Sequence, residues 1–264
     1  MSKNKTNQLP WALLGIILFL VTVTVNALAN ALPLFGRLTG QISDGLPNLF
    51  VPSGLTFAVW GPIYLALLIF TLYQFVVVLK NPTDPPLWWK KSIGSVLLGH
   101  LANALWIVSW HALWYEASLV LMLVLFGSLV RVVLALGWSQ NPPRGAAWAM
   151  AVLPFSLYLG WITVALPANI TGLLVHWGLG NLAPDPLFWA AGVSFIAAVL
   201  GIIVSLRYKD PIYPLVISWA LFGIALKRSS DLPWLSGWAM ALAALCLLLA
   251  AGAFFRRIVG DRKQ

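Results

Sequence analysis

Long apolar runs dominate the chain, and short polar segments separate them. The runs cover residues 11–33, 53–78, 93–113, 118–136, 147–166, 188–206, 213–226 and 235–255. Most have about 20 residues, which is the length that an α-helix needs to cross the hydrocarbon core of a bilayer, and the run at 213–226 is short for a span. The alternating segments of roughly ten residues that build membrane β-barrels are absent from the sequence. The pattern predicts an all-α fold, a polytopic transmembrane helical bundle of about eight spans.

Polar and aromatic residues inside these runs are spaced so that they share helix faces. In the first run Thr22, Asn26 and Asn30 recur every four residues, so they should face other helices rather than lipid. The second and third runs each carry such residues at i, i+3 and i+7, and the fifth carries a Tyr and a Trp four and seven residues after Pro154. Such a face can hold a flat apolar ligand, although Trp and Tyr also anchor helices at the water interface. The candidate ligand-binding residues are Phe57, Trp60, Tyr64, Asn103, Trp106, Trp110, Tyr158 and Trp161.

Three local features are expected from the segments around these runs. Residues 34–53 should form a loop that lies against the bundle as a lid, because Leu46, Leu49 and Phe50 are too apolar for a free linker. Pro62 should bend the second helix, since a proline ring clashes with the carbonyl four residues earlier. The fifth helix should end near residue 166, and residues 167–186 should form a second, partly apolar loop.

The composition agrees with a membrane protein and excludes an ordinary soluble domain. Hydrophobic residues make up 61% of the chain and charged residues only 9%, whereas soluble domains carry roughly 25% charged residues. Lys and Arg outnumber Asp and Glu by 16 to 7, but these basic residues stand at helix ends, so no nucleic acid partner is expected. The single cysteine, Cys246, lies inside the last run, which leaves no disulfide and no cysteine cluster for a metal within one chain.

The distribution of positive charge predicts the orientation in the membrane. If the N terminus is cytoplasmic, only Arg37, Lys227 and Arg228 lie outside, which leaves 13 of the 16 basic residues inside. This agrees with the positive-inside rule and with an even number of helices. We therefore expect an integral protein of a bacterial plasma membrane with cytoplasmic N and C termini. The first run, followed by Ala27, Ala29 and Ala31, also has the pattern of a secretory signal with a small-residue cleavage site.

The second helix resembles the TspO family, the tryptophan-rich sensory proteins also known as relatives of the peripheral-type benzodiazepine receptor. The family reads approximately P-P-x-x-x-F-x-x-V-W-T-x-L-Y in its first loop and second helix. At closely similar spacing this chain has Pro52, Phe57, Val59, Trp60 and Tyr64. One family Pro is replaced by Val51 and the Thr by Gly61.

Two further motifs extend the resemblance over roughly residues 11–170. The family pattern L-N-x-x-W-S is similar to the segment Ala102-Asn103-Ala-Leu-Trp106-Ile in the third helix. The pattern P-Y-x-x-W-x-x-x-A-x-x-L-N is similar to the fifth helix, where Pro154, Tyr158, Trp161, Ala165 and Asn169 stand in that order. Three motifs in the right order on the right helices make the resemblance fairly specific.

The resemblance implies a function and a division of the chain. Members of the family are five-helix proteins, often dimers, that bind porphyrins and other flat apolar ligands in a pocket below the first loop. It implies a TspO-like region at 1–170 followed by a three-helix extension at 171–264, and partners limited to membrane lipid, a small hydrophobic ligand and a second copy of the chain. No cofactor is required, although a porphyrin or haem-like ligand is expected, with a sensory or regulatory role. A cholesterol-recognition pattern, which needs a Tyr followed by Lys or Arg, is not found in residues 162–186.

Other functions stay open. A transporter or permease for a small apolar substrate is an alternative, but all seven acidic residues lie in loops or at helix ends, where they cannot relay ions through the membrane centre. A membrane assembly scaffold is another. No catalytic residues and no metal ligands are predicted, because the three histidines are scattered and no nucleophile or phosphate-binding motif is present. Porphyrin breakdown, to which some family members are linked, is kept as a minor alternative to a non-enzymatic role.

Overall fold

The computed structural model describes residues 6–46, 48–136, 138, 143, 145–179 and 185–261. These residues form α-helices and two short 3₁₀-helices, Leu34–Gly36 and Gly54–Val59, and contain no strand. The α-helices are α1 (Leu9–Ala31), α2 (Thr39–Asp44), α3 (Trp60–Lys80), α4 (Leu87–His111), α5 (Tyr115–Leu136), α6 (Gly145–Ala151), α7 (Leu153–His176), α8 (Pro186–Tyr208), α9 (Ile212–Lys227) and α10 (Pro233–Asp261).

The predicted transmembrane helical bundle is confirmed. Within the described residues, seven helical segments are long and apolar enough to cross a membrane. The remaining apolar helix, α9, has 16 residues, which corresponds to about 24 Å and is shorter than a typical hydrocarbon core of about 30 Å. Because α9 is enclosed by α7, α8 and α10 and buries most of its side chains, protein rather than lipid surrounds most of it.

The helices pack as two connected groups. In the first, α4 lies between α1 and α5, and α3 and α7 complete the group. In the second, α8, α9 and α10 pack on one another. The two groups meet mainly where α9 contacts α7 and the 3₁₀-helix Gly54–Val59. The division predicted at residue 170 falls inside α7.

The fifth predicted helix is longer than the sequence indicated. Instead of a loop after residue 166, α7 continues through Pro167 to His176. Hydrogen bonds from both sides hold this continuation, although the proline lacks an N–H group. The Asn169 side chain donates to Ser118 Oγ of α5 at 3.0 Å, and the Trp189 indole of α8 donates to Thr171 Oγ1 at 3.1 Å. Tertiary contacts therefore stabilise a segment whose local sequence favours a break.

The second predicted helix also differs in its first turns. It begins as the 3₁₀-helix Gly54–Val59 and becomes α-helical at Trp60. Pro62 therefore lies in the first turn of α3, where its missing N–H group would have no partner within the helix. The predicted bend assumed that Pro62 lies inside a continuous α-helix, whereas the residues before Trp60 form a 3₁₀-helix.

The segment between α1 and the second 3₁₀-helix covers one end of the bundle. We call residues 34–46 and 48–53 the lid. It contains the short helix α2 and buries Ile42, Phe50 and Val51, as expected from its apolar residues. It lies at the end of the bundle where α1, α4, α7 and α9 terminate, and we call this the lid end.

Helices α7 and α9 approach each other closely at Gly160, where a larger side chain should lower stability. A Cβ atom added at Gly160 would lie 3.0 Å from Val216 Cβ and 3.2 Å from the Tyr213 carbonyl oxygen. Gly160→Ala is therefore expected to lower the free energy of unfolding by about 1–3 kcal/mol through overpacking. Unfolding in mixed micelles with increasing dodecyl sulfate, followed by circular dichroism, measures this change.

Gly127→Ala is the matched control, because a Cβ at Gly127 in α5 would meet nothing within 4 Å. That variant should be neutral or more stable by up to about 1 kcal/mol, since Ala favours helix over Gly. Equal effects of the two substitutions would show that the α7–α9 contact is not the cause.

Candidate functional site

Trp60, the first residue of α3, lies at the centre of a group of aromatic rings. Its ring stacks on Tyr64 with the centroids 5.4 Å apart and on Trp106 of α4 at 6.3 Å. Two rings of α7 meet it edge-on, Tyr158 at 5.8 Å and Trp161 at 6.3 Å. Stacked and edge-to-face pairs at these distances are favourable, because the negative face of one ring meets the positive edge of another. Trp60 therefore connects α3, α4 and α7.

Two more rings extend the group. Phe57, from the 3₁₀-helix, meets Trp161 edge-on at 5.6 Å, and Trp110 stacks on Trp106 one turn along α4 at 6.3 Å. We call these seven residues, Phe57, Trp60, Tyr64, Trp106, Trp110, Tyr158 and Trp161, the aromatic cluster. The structure thus brings together all seven aromatic residues singled out in the sequence, and Asn103, the eighth, is hydrogen-bonded to one of them.

Asn103 holds the cluster through a chain of buried amides. Its side chain is 1% exposed and donates to the Tyr158 hydroxyl. The Asn103 side-chain oxygen accepts from Asn26 Nδ2 of α1 at 3.0 Å. An unpaired amide in an apolar interior is costly, so this pairing keeps α1, α4 and α7 in register.

A small cavity lies between the lid and the aromatic cluster. Its volume is about 50 Å³, which is room for one or two water molecules and far below the roughly 300–1,000 Å³ of a typical ligand pocket. Its walls include Trp106, Trp161 and Asn169, together with lid residues such as Asn48 and Val51.

Three residues that line this cavity each have a buried polar atom without a hydrogen-bond partner among the described residues. These atoms are the indole nitrogens of Trp106 and Trp161 and the side-chain oxygen of Asn169. Two N–H donors and one acceptor therefore lie buried beside the cavity. Burial makes such atoms valuable to a ligand, because the alternative is an unsatisfied group in an apolar environment.

A larger cleft lies on the other side of Trp60. It has a volume of about 520 Å³, within the range of ligand pockets. Tyr64 and Ile107 form part of its apolar wall, and Phe57 and Trp60 line both this cleft and the small cavity. Its polar lining comes from α1 and the lid, through the residues Asn26, Asn30, Thr39, Gln41 and Asp44. Asn103 and Tyr158 line neither of these two spaces.

Thr39 of the lid connects the cleft to two helices. Its hydroxyl lies 2.9 Å from His111 Nε2 of α4 and donates to Asn30 Oδ1 of α1 at 3.1 Å. The backbone oxygen of Thr39 also accepts from the Trp110 indole at 3.4 Å. The sequence pattern placed Asn26 and Asn30 on an inward face but did not connect them to a ligand site, and it contained no signal for Thr39.

The chemistry available in this region is stacking and hydrogen bonding. Aromatic faces, amides and a threonine hydroxyl line the spaces around Trp60. In the described part of the chain, no group of three or more His, Cys, Asp or Glu side chains could hold a metal ion.

These observations define an α-helical integral membrane protein with a tryptophan-rich cluster below the lid. The chain matches the family described as TSPO-like protein over residues 12–252, and it belongs to that family. The match includes most of α10 and so extends beyond the 11–170 region in which the motifs were recognised. Comparison with curated proteins and with solved structures found no match.

The hydrogen bonds from Asn26 to Asn103 and from Asn103 to Tyr158 should contribute to stability. Asn103→Leu is expected to lower the free energy of unfolding by about 1–3 kcal/mol, because it leaves the Asn26 and Tyr158 groups without their partner. Tyr158→Phe, which removes one hydroxyl, should cost about 0.5–1.5 kcal/mol.

A double-mutant cycle measured by unfolding in mixed micelles tests the connection. The double variant should lose about 0.5–1.5 kcal/mol less than the sum of the single variants, because both remove the same hydrogen bond. Strictly additive losses would contradict a direct interaction between the two side chains.

Proposed function

We propose that this TSPO-like protein binds flat hydrophobic molecules of the porphyrin or tetrapyrrole type at the aromatic cluster and has a sensory or regulatory role. The observation that carries the proposal is the cleft of about 520 Å³ whose wall includes Trp60 stacked on Tyr64. A tetrapyrrole ring offers a large π-face, and an indole backed by a second ring is a rigid surface on which such a face can stack.

The polar rim of the cleft suits the substituents of such a ligand. Porphyrins carry carboxylate side chains on an otherwise apolar ring. The amides of Asn30 and Gln41 lie along the cleft and can donate hydrogen bonds to carboxylate oxygens. A few polar groups in a mostly apolar pocket typically determine the orientation of a ligand.

Trp60 and Phe57 separate the cleft from the small cavity. A rotation of these rings would join the two spaces and expose the free N–H groups of Trp106 and Trp161 to the ligand. In this proposal the cleft receives the ring first, and the indole donors below the lid then bind one of its polar edges.

Binding of protoporphyrin IX to the protein in lipid nanodiscs tests the proposal. The shift of the porphyrin Soret band reports binding without relying on tryptophan fluorescence. Trp60→Leu should raise the Kd about tenfold or more, because it removes the central stacking surface.

The matched control is Trp234→Leu at the start of α10, where the indole is 58% exposed and outside the aromatic cluster. This variant should bind porphyrin like the wild type. Equal Kd values for the wild type and Trp60→Leu, or equal weakening in both variants, would refute the proposed site. Circular dichroism shows whether each variant is folded.

We further propose that both termini are cytoplasmic and that the lid end faces outward from a bacterial plasma membrane. Lys80, Lys90, Lys91, Arg207 and Lys209 stand near the end opposite the lid, whereas only three basic residues belong to the lid end. This asymmetry supports the orientation through the positive-inside rule.

Thiol labelling tests the orientation, because replacement of Cys246 leaves a chain without cysteine. In Cys246→Ala protein, Ser230→Cys at the lid end should react with an impermeant maleimide in intact spheroplasts. Thr83→Cys, in an exposed loop at the opposite end, should react only after permeabilisation. The reverse pattern would show the inverted topology.

A further inference from the structure

Arg228, immediately after α9, is hydrogen-bonded to the lid. Its side chain is 12% exposed. Nη2 donates to the Asn48 carbonyl oxygen at 3.0 Å and Nε donates to the Leu49 carbonyl oxygen at 3.3 Å. Nη1 donates to Asp231 Oδ2 at 2.7 Å. One guanidinium thus binds two consecutive lid carbonyls while a carboxylate orients it from the other side.

Helix α9 also contacts the chain on both sides of Asn48 and Leu49. On the N-terminal side, Lys227 at the end of α9 forms an ion pair with Asp44 of α2. After it, the Ser53 N–H donates to the Gly223 carbonyl oxygen at 3.0 Å, and the Trp219 indole donates to the Thr56 carbonyl oxygen at 3.0 Å. The contacts of α9 with the lid and the following 3₁₀-helix therefore extend from residue 44 to residue 56.

These contacts involve residues that line the two spaces around Trp60. Asn48 lies in the wall of the small cavity and Asp44 in the wall of the cleft. The side chain of Asn48 also donates to the Ala168 carbonyl oxygen at 3.4 Å. A displacement of the lid at Asn48 and Leu49 would open the small cavity to the lid end.

We propose that α9 holds the lid closed over the aromatic cluster, with Arg228 as the positioning residue that controls exchange between the site and the outside. This gives the C-terminal helices a role in regulating access. The ligand part of the proposal rests on the proposed function, whereas the restraint of the lid does not.

Arg228 contributes more to this restraint than Lys227. The Lys227–Asp44 pair is exposed, with 24% and 56% of the two side chains accessible, and exposed pairs contribute little because water and salt screen them. The guanidinium of Arg228 is mostly buried and makes charge-assisted bonds. Its planar guanidinium donates to two carbonyl oxygens at once, a geometry that the single ammonium group of a lysine matches less closely. The hydrogen bond from Arg228 lowers the pKa of the Asp231 carboxyl.

Cysteine reactivity measures lid opening without any ligand. Val51 lines the small cavity and is 2% exposed, so Val51→Cys in a Cys246→Ala background should react slowly with a maleimide. Arg228→Ala should accelerate this reaction about tenfold, because the charge-assisted bonds that hold the lid are lost. Arg228→Lys should restore part of the protection, and Lys227→Ala should change the rate by less than Arg228→Ala.

Two controls separate lid opening from loss of structure. Arg207→Ala removes an exposed arginine at the opposite end of the bundle and should leave the rate unchanged. Cys246, fully buried among the C-terminal helices, reports on the bundle itself in protein that keeps Val51. Its reaction should be equally slow with Arg228 and with Ala at position 228. The proposal would be overturned if Val51→Cys reacted at the same rate with and without Arg228→Ala. It would also be overturned if Arg228→Ala accelerated the reaction of Cys246 as much as that of Val51→Cys.

Porphyrin kinetics in nanodiscs then test the connection to the site. Arg228→Ala should raise the association and dissociation rate constants of protoporphyrin IX by similar factors and change Kd by less. If the rate constants do not change although Val51→Cys reacts faster, access through the lid is refuted. If the wild type binds no porphyrin, the proposed ligand is wrong, and the labelling experiment still decides whether Arg228 holds the lid.

Discussion

Polar side chains within the bilayer must find partners inside the protein, and this requirement shapes the bundle. Water is absent from the hydrocarbon core, so an amide on a membrane helix either pairs with another helix or costs free energy. Asn26 donates to Asn103, Asn103 donates to Tyr158, and these two bonds join α1, α4 and α7. Hydrophobic packing against lipid is non-specific, whereas these few hydrogen bonds select one arrangement of the helices.

The aromatic cluster depends on that arrangement. Trp60 meets rings from α4 and α7, the same helices that the Asn103–Tyr158 hydrogen bond joins. The rings pack against one another, with a small cavity on one side of Trp60 and a larger cleft on the other. A flat ligand of the proposed kind would compete with ring–ring contacts of similar chemistry.

The C-terminal helices distinguish this protein from the five-helix arrangement that the family resemblance implied, because one of them contacts the loop above the site. The second half of the lid, from Asp44 to Ser53, is bound by α9 and Arg228 through an ion pair, a mostly buried guanidinium and a backbone hydrogen bond. Two of the three basic residues on the lid end, Lys227 and Arg228, have specific acidic partners. The positive charge of Lys227 and Arg228 therefore has a local structural role at the lid.

The sequence alone determined the class of protein, the approximate positions of the spans and the residues of the aromatic cluster. Each of these depends on local information: an apolar run defines a span, and spacing of three, four or seven residues defines a helix face. Tertiary structure decided that α7 continues through Pro167, because contacts with α5 and α8 outweigh a local helix breaker. It also decided which amides pair, on which side of Trp60 the larger space lies, and that α9 binds the lid. Those outcomes join residues that are far apart in the chain, and periodicity within one helix contains no information about which faces of different helices meet.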